Sequence, residues 1–283
     1  MRTPVALRAL LHAFAQIFLQ RHAGCGALVM LALALADPAL LAGALFGVLM
    51  ASAGAIWLGY PAGDREDGLY GYNAALLGAL LIHQLGLSLA SLAVIAAASL
   101  ASCPLQAWLL DRLRHHGGLP GFTLPFVLIG LITQLAIAPV PALQASGLQP
   151  DASALLAGAW LQGIGQVVFV DDRLAAACLV AAVAVANWRD VLWLLAGSAL
   201  GLAVGALLEA SWAGGQAGFN PALAALALAQ WRSGWCLPIL GMLAAIAFWL
   251  ALCSLGLPTL TLPFLLATWL GLLVRLPRRS HDG

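Results

Sequence analysis

Apolar residues run through this chain in long uncharged tracts, unlike the balanced surface patterns of a water-soluble fold. No Asp, Glu, Lys or Arg occurs over residues 68–110, 115–150 or 233–274. A helix needs about 20 apolar residues to cross the hydrocarbon core of a bilayer, so each of the two longest tracts can hold two crossings with a turn between. Backbone groups in lipid must pair within the chain, and Leu/Ala-rich segments of this length do so as helices rather than as short alternating strands. The pattern predicts an all-α integral membrane protein.

Three blocks recur in order along the chain. Residues 15–19 (AQIFL) match 165–169 (GQVVF), residues 71–76 (GYNAAL) match 218–223 (GFNPAL), and residues 119–126 (LPGFTLPF) match 257–264 (LPTLTLPF). Three matches in one order indicate an internal duplication. The halves are 1–145 and 146–283, joined by a polar segment at 143–152, and together they form one pore-forming domain. Each half reads as a short tilted segment (7–20; 155–170), a short apolar helix (26–35; 174–186) and a full crossing (38–58; 191–208). A segment opened by the glycine-asparagine motif follows (72–85; 219–230), then another crossing (87–110; 236–255), and last a segment opened by the threonine-proline motif (123–140; 261–273). Five crossings per half, about ten transmembrane helices in all plus half-membrane tilted helices, place the halves in opposite orientation and both termini on one side.

Charge agrees with that plan and fixes its sense. With the N-terminus inside, Arg2, Arg8, Arg65, Arg112, Arg114, Arg189, Arg232, Arg275, Arg278 and Arg279 fall on the cytoplasmic face, while Asp151 and Glu209 fall outside. The apolar N-terminus lacks a clean cleavage site and is expected to belong to the fold. The expected location is the plasma membrane, the inner membrane of a bacterium, with both termini cytoplasmic. Composition points the same way: 63% of the 283 residues are hydrophobic and 8% charged, against roughly a quarter charged in soluble domains. Lysine is absent and no basic, aromatic-rich block offers a nucleic-acid surface. The five cysteines lack metal or disulfide spacing and read as small buried hydrophobes. His12, His22 and His83 form no ligand pattern, and no nucleophile, phosphate loop or carboxylate pair suggests an enzyme or a cofactor.

Polar groups inside the apolar tracts are few and mostly neutral. Each must face protein or a lumen, because an unpaired polar group in hydrocarbon is costly. Gln16 and Gln166 occupy matching places and each offers an acceptor and a donor. Thr123 and Thr261 each stand two residues before a proline, where a helix start leaves carbonyls and a hydroxyl free. Gly71-Tyr72-Asn73 and Gly218-Phe219-Asn220 read as close-packed turns, the asparagine bonding its own backbone or holding an irregular segment. Phe18, Leu19, Phe126, Phe169 and Phe264 can form flat apolar walls or plain core. The absence of a charged group centred in any tract argues for passive permeation of an uncharged molecule.

These motifs resemble the urea transporter (urea channel) family, of the bacterial type. Its Gly-Leu-Tyr-Gly-Tyr-Asn pattern is met at 68–73, its Gln-Val-Val-Phe pattern at 166–169, and its Leu-Pro-x-x-Thr-x-Pro-Phe motif from both Leu119 and Leu257. The resemblance implies an inverted duplication assembled as a homotrimer in the bilayer, each protomer carrying a pore for urea at its pseudo-two-fold axis. By motif match Gln16 and Gln166 line the filter, Thr123 and Thr261 stand at its centre, and Leu19 and Phe169 fall at the flat slots. Leu19 stands where the family has phenylalanine, and Arg21-His22 and Asp171-Asp172 replace its usual turn residues. Urea, planar and neutral, suits apolar walls about 7 Å apart, two van der Waals contacts wide, with oxygens along one edge. Two other readings are a channel for a related amide or ammonia, and a non-transporting scaffold.

Overall fold

A computed structural model describes residues 5–116, 118–136, 160–208, 216–231 and 234–275. All of its regular elements are helices. In chain order they are α1 (Val5–Gln16), α2 (Ala23–Ala36), α3 (Pro38–Trp57), α4 (Ala62–Glu66), α5 (Tyr72–Leu85), α6 (Leu89–His116) and α7 (Leu124–Ala136). Helix α8, described over 160–165, runs into a 3-10 turn at Gln166–Val168. Then come α9 (Arg173–Ala186), α10 (Trp188–Leu207), α11 (Gln216–Ala229), α12 (Cys236–Ser254) and α13 (Leu262–Arg275). The joining segment 143–152 lies outside the described residues, as do Arg2, Asp151, Glu209, Arg232, Arg278 and Arg279 from the charge argument.

Among the described residues, α3, α6, α10 and α12 are long and apolar enough to cross a membrane. The other apolar helices are shorter than the expected crossings. Helix α5, with 14 residues, rises about 21 Å against a hydrocarbon core of about 30 Å. The chain is broken there by design of its sequence: α5 opens after Gly71 and closes at Gly86, whose φ of 68° suits glycine alone.

Helix boundaries follow local chemistry repeated in both halves. Asp37 ends α2 and caps α3 by accepting from Ala39 N–H at 2.8 Å, with Pro38 in the first turn. Asn187 does the same between α9 and α10, accepting from Arg189 N–H at 3.2 Å. His22 caps α2 through Nδ1, and Asp172 caps α9 through Oδ1. Of the pairs Arg21-His22 and Asp171-Asp172, the second residue of each therefore serves as a helix N-cap.

In each half the long helix packs on the glycine-asparagine helix, α3 on α5 and α10 on α11, and α6 and α12 close over them. The first of these contacts is a backbone approach. A Cβ at Gly43 of α3 would meet the Gly78 carbonyl oxygen of α5 at 2.8 Å, and one at Gly78 would overlap Gly43 in return. The halves meet where α2 lies along α9 and where α7 meets α13. Large apolar side chains such as Leu49, Ile56, Leu192 and Leu240 remain exposed on the long helices, as a lipid-facing surface requires. Cys25 and Cys103 are buried and all five cysteines are free. Cys236 departs from the expectation of burial and is exposed at the start of α12.

Candidate functional site

The two threonine-proline motifs start α7 and α13 and come face to face. Thr123 Oγ1 lies 2.7 Å from Thr261 Oγ1, both residues being 3% exposed. Each threonine carbonyl accepts the first turn of its helix, from Val127 N–H at 2.9 Å and from Leu265 N–H at 3.1 Å. Pro125 and Pro263 fall in those first turns, where a missing amide hydrogen leaves no bond broken.

What aims the hydroxyls inward is the residue before each of them. Phe122 has φ 40° and Leu260 φ 41°, a left-handed conformation that disfavours side chains. Asparagine holds both. Asn73 Nδ2 donates to the Phe122 carbonyl at 3.4 Å and its Oδ1 accepts from Phe126 N–H at 3.1 Å. Asn220 Nδ2 donates to the Leu260 carbonyl at 3.1 Å and its Oδ1 accepts from Phe264 N–H at 3.1 Å. Tyr72 adds a hydroxyl bond to the Phe122 carbonyl that Phe219, lacking an oxygen, cannot supply. Thus the asparagines do not bond their own backbone; they tie the glycine-asparagine helix to the threonine helix of the same half. Trp269 of α13 donates to the Pro120 carbonyl at 2.8 Å and locks the second half onto the loop before Thr123.

The glutamine motifs behave alike at the backbone. After Gln16 and Gln166 the chain turns sharply, and Leu19 (φ 57°) and Phe169 (φ 63°) again adopt the left-handed conformation. These two with Phe122 and Leu260 are all the non-glycine residues of positive φ among the described residues. Strain of about 1–3 kcal/mol each is concentrated at functional sites in proteins generally, and here it marks the motifs found by self-comparison.

Gln16 is held by the loop that carries α4. Its Nε2 donates to the Asp67 carbonyl at 3.2 Å, His12 Nδ1–H donates to the Glu66 carbonyl at 2.9 Å, and Arg21 pairs with Asp67 at 2.6 Å. Gln166 Nε2 donates to Asp171 Oδ1. In both cases one amide N–H is engaged within the protein, and the carbonyl oxygen and the second N–H are the groups a solute could use. In the same loop, burial and the neighbouring Asp64 push the Tyr70 phenol up to about 12, so it stays neutral at physiological pH.

Of the aromatic candidates, Phe18, Phe126 and Phe264 are buried in the core. Phe169 is partly open, and Leu19 likewise. Two residues that sequence reasoning left aside sit beside them. The His83 ring stacks on Phe169 with centroids 5.7 Å apart and planes at 25°. Gln230 Nε2 donates to the Leu19 carbonyl at 3.1 Å. His83 follows Asn73 by ten positions, as Gln230 follows Asn220, so superposing the halves on the asparagines would have singled out this pair. A third, Asp190, is buried and accepts from Gln20 Nε2 at 2.8 Å and Asn187 Nδ2 at 2.9 Å.

Among the described residues no cluster of three or more His, Cys, Asp or Glu could hold a metal. Neutral hydroxyl and amide groups beside strained turns are the chemistry these repeated motifs offer. The urea transporter family model matches the chain over residues 7–276. The chain belongs to the urea transporter family. Its members move urea across membranes, and this one is an all-helical membrane protein built for that transport rather than a member of an enzyme family. No curated protein matches the chain.

Proposed function

We propose that this urea transporter works by passive, bidirectional diffusion through a narrow pathway that passes between Thr123 and Thr261. The observation that carries the reading is their 2.7 Å contact, made by hydroxyls from two repeated motifs. In this scheme urea replaces that hydrogen bond: its N–H groups donate to the threonine oxygens and to the Gln16 and Gln166 carbonyls as it advances. Each such bond returns about 1 kcal/mol net, enough to offset shed water without trapping the solute. Conduction requires this kind of weak binding spread over successive positions, so the affinity is expected to be millimolar or weaker.

A cation would lose its hydration shell to a handful of neutral oxygens and is excluded. The threonine and glutamine side chains that carry the reading are neutral, which supports diffusion without coupling to a proton or sodium gradient. We take the halves, 1–145 and 146–283, as inverted repeats about a pseudo-two-fold axis in the membrane plane, the arrangement that puts a site at mid-bilayer. The repeated asparagine clamps support this. The positive-inside pattern supports cytoplasmic termini in a plasma membrane, the bacterial inner membrane. The homotrimer is carried over from the family resemblance.

The test is urea flux into proteoliposomes by stopped-flow light scattering, with and without an imposed proton gradient. Equal acceleration over empty vesicles in both conditions is expected. Acceleration that requires the gradient would overturn the passive reading.

A further inference from the structure

We propose that His83 is a specificity-determining wall of this pathway, paired with Phe169 as the second face of a flat slot whose width it sets. The inference rests on the passive-pathway reading above.

Phe169 is a fixed wall. Its backbone is pinned in the left-handed conformation at the end of the 3-10 turn, and the buried Phe126 ring backs it at 6.4 Å and 58°. His83, near the C-terminal end of α5, is exposed and lies nearly parallel to it. Because the centroids are 5.7 Å apart, the planes can be no farther apart than that. A flat solute between two rings needs about 7 Å, one van der Waals contact on each side. The imidazole must therefore draw back by the difference, still facing Phe169, for a planar amide to lie between the two rings. Exposed side chains change rotamer on the ps–ns scale, whereas Phe126 is locked in the core.

The other half is built differently at the equivalent place. Gln230 is held by the Leu19 carbonyl and lies 3.5 Å from Asp190 Oδ2, and the neighbouring side chain is aliphatic. Discrimination by flatness and width is thus concentrated at the Phe169 end. A ring at position 83 admits a thin planar molecule and resists one thickened by methyl groups, whose hydrogens stand above and below the amide plane.

The experiment compares urea with 1,3-dimethylurea in proteoliposomes of the full chain, for wild type, His83→Ala, His83→Ser and His83→Phe. One methyl group in a close-fitting site commonly shifts discrimination by about 10- to 200-fold. The dimethylurea-to-urea permeability ratio is expected to rise about tenfold or more in both truncations and to stay at the wild-type value in His83→Phe, which keeps a flat ring. A residue that only supported the fold would lower both permeabilities together and leave the ratio unchanged. An unchanged ratio in a truncation that still conducts urea would overturn the slot. Wild-type vesicles that take up urea no faster than empty ones would instead remove the pathway itself, and the slot with it.

Discussion

Asn73 Oδ1 accepts the backbone N–H of Phe126, 53 residues later, at 3.1 Å. The bond satisfies a first-turn amide of α7 that would otherwise be orphaned in a buried place, and the same relationship joins Asn220 to Phe264. Asn73→Ala strands that amide and leaves the Phe122 carbonyl to the Tyr72 hydroxyl alone. A loss of about 1–3 kcal/mol is expected for each buried group left unpaired. Thermal unfolding in detergent, followed by fluorescence-detected size exclusion, should show a lower midpoint for Asn73→Ala and for Asn220→Ala. An unchanged midpoint would mean that the clamp is not what holds the threonine turns.

Asp190 accepts its two shortest side-chain bonds from Gln20, 170 residues earlier, at 2.8 Å and from Asn187, the N-cap of its own helix, at 2.9 Å. Asp190→Ala leaves both donors without an acceptor inside the protein, and a destabilisation of about 1–3 kcal/mol per abandoned donor is expected. Asp190→Asn keeps one oxygen and should fall between the alanine variant and wild type in the same unfolding assay.

The caps of α2 and α9 make a matched pair with different chemistry. His22 uses a ring nitrogen at 3.2 Å, while Asp172 uses a carboxylate oxygen at 2.8 Å. A negative charge at a helix start adds about 0.3–1 kcal/mol, so His22→Asp should raise the unfolding midpoint slightly. Asp172→Ala should lower it, by about 1 kcal/mol.

Much of this was legible before any coordinates. The charge gaps and the glycine-asparagine motif marked off a segment over 72–85, which is the span of α5. The repeated threonines could be singled out because each motif appears twice. Single residues without a partner in the sequence could not. The five-residue α4 mixes charges with glycine and has no apolar period. Asp190 reads as an ordinary polar residue at a helix start, and its burial depends on Gln20, 170 residues away. His83 matches no ligand spacing, and its meaning comes from a ring in the other half. Phenylalanine position was likewise ambiguous: a wall and a core ring look the same in a sequence, and packing made Phe18, Phe126 and Phe264 core.

The most direct measurement is urea permeability of proteoliposomes carrying Thr123→Val and Thr123→Leu beside wild type, with size exclusion confirming the fold of each. Valine keeps the shape and deletes the oxygen, so the loss of one hydrogen bond should slow flux about two- to tenfold. Leucine also fills the gap to Thr261 and should bring flux to the level of empty vesicles. A correctly folded Thr123→Leu protein that conducts urea at the wild-type rate would contradict the account.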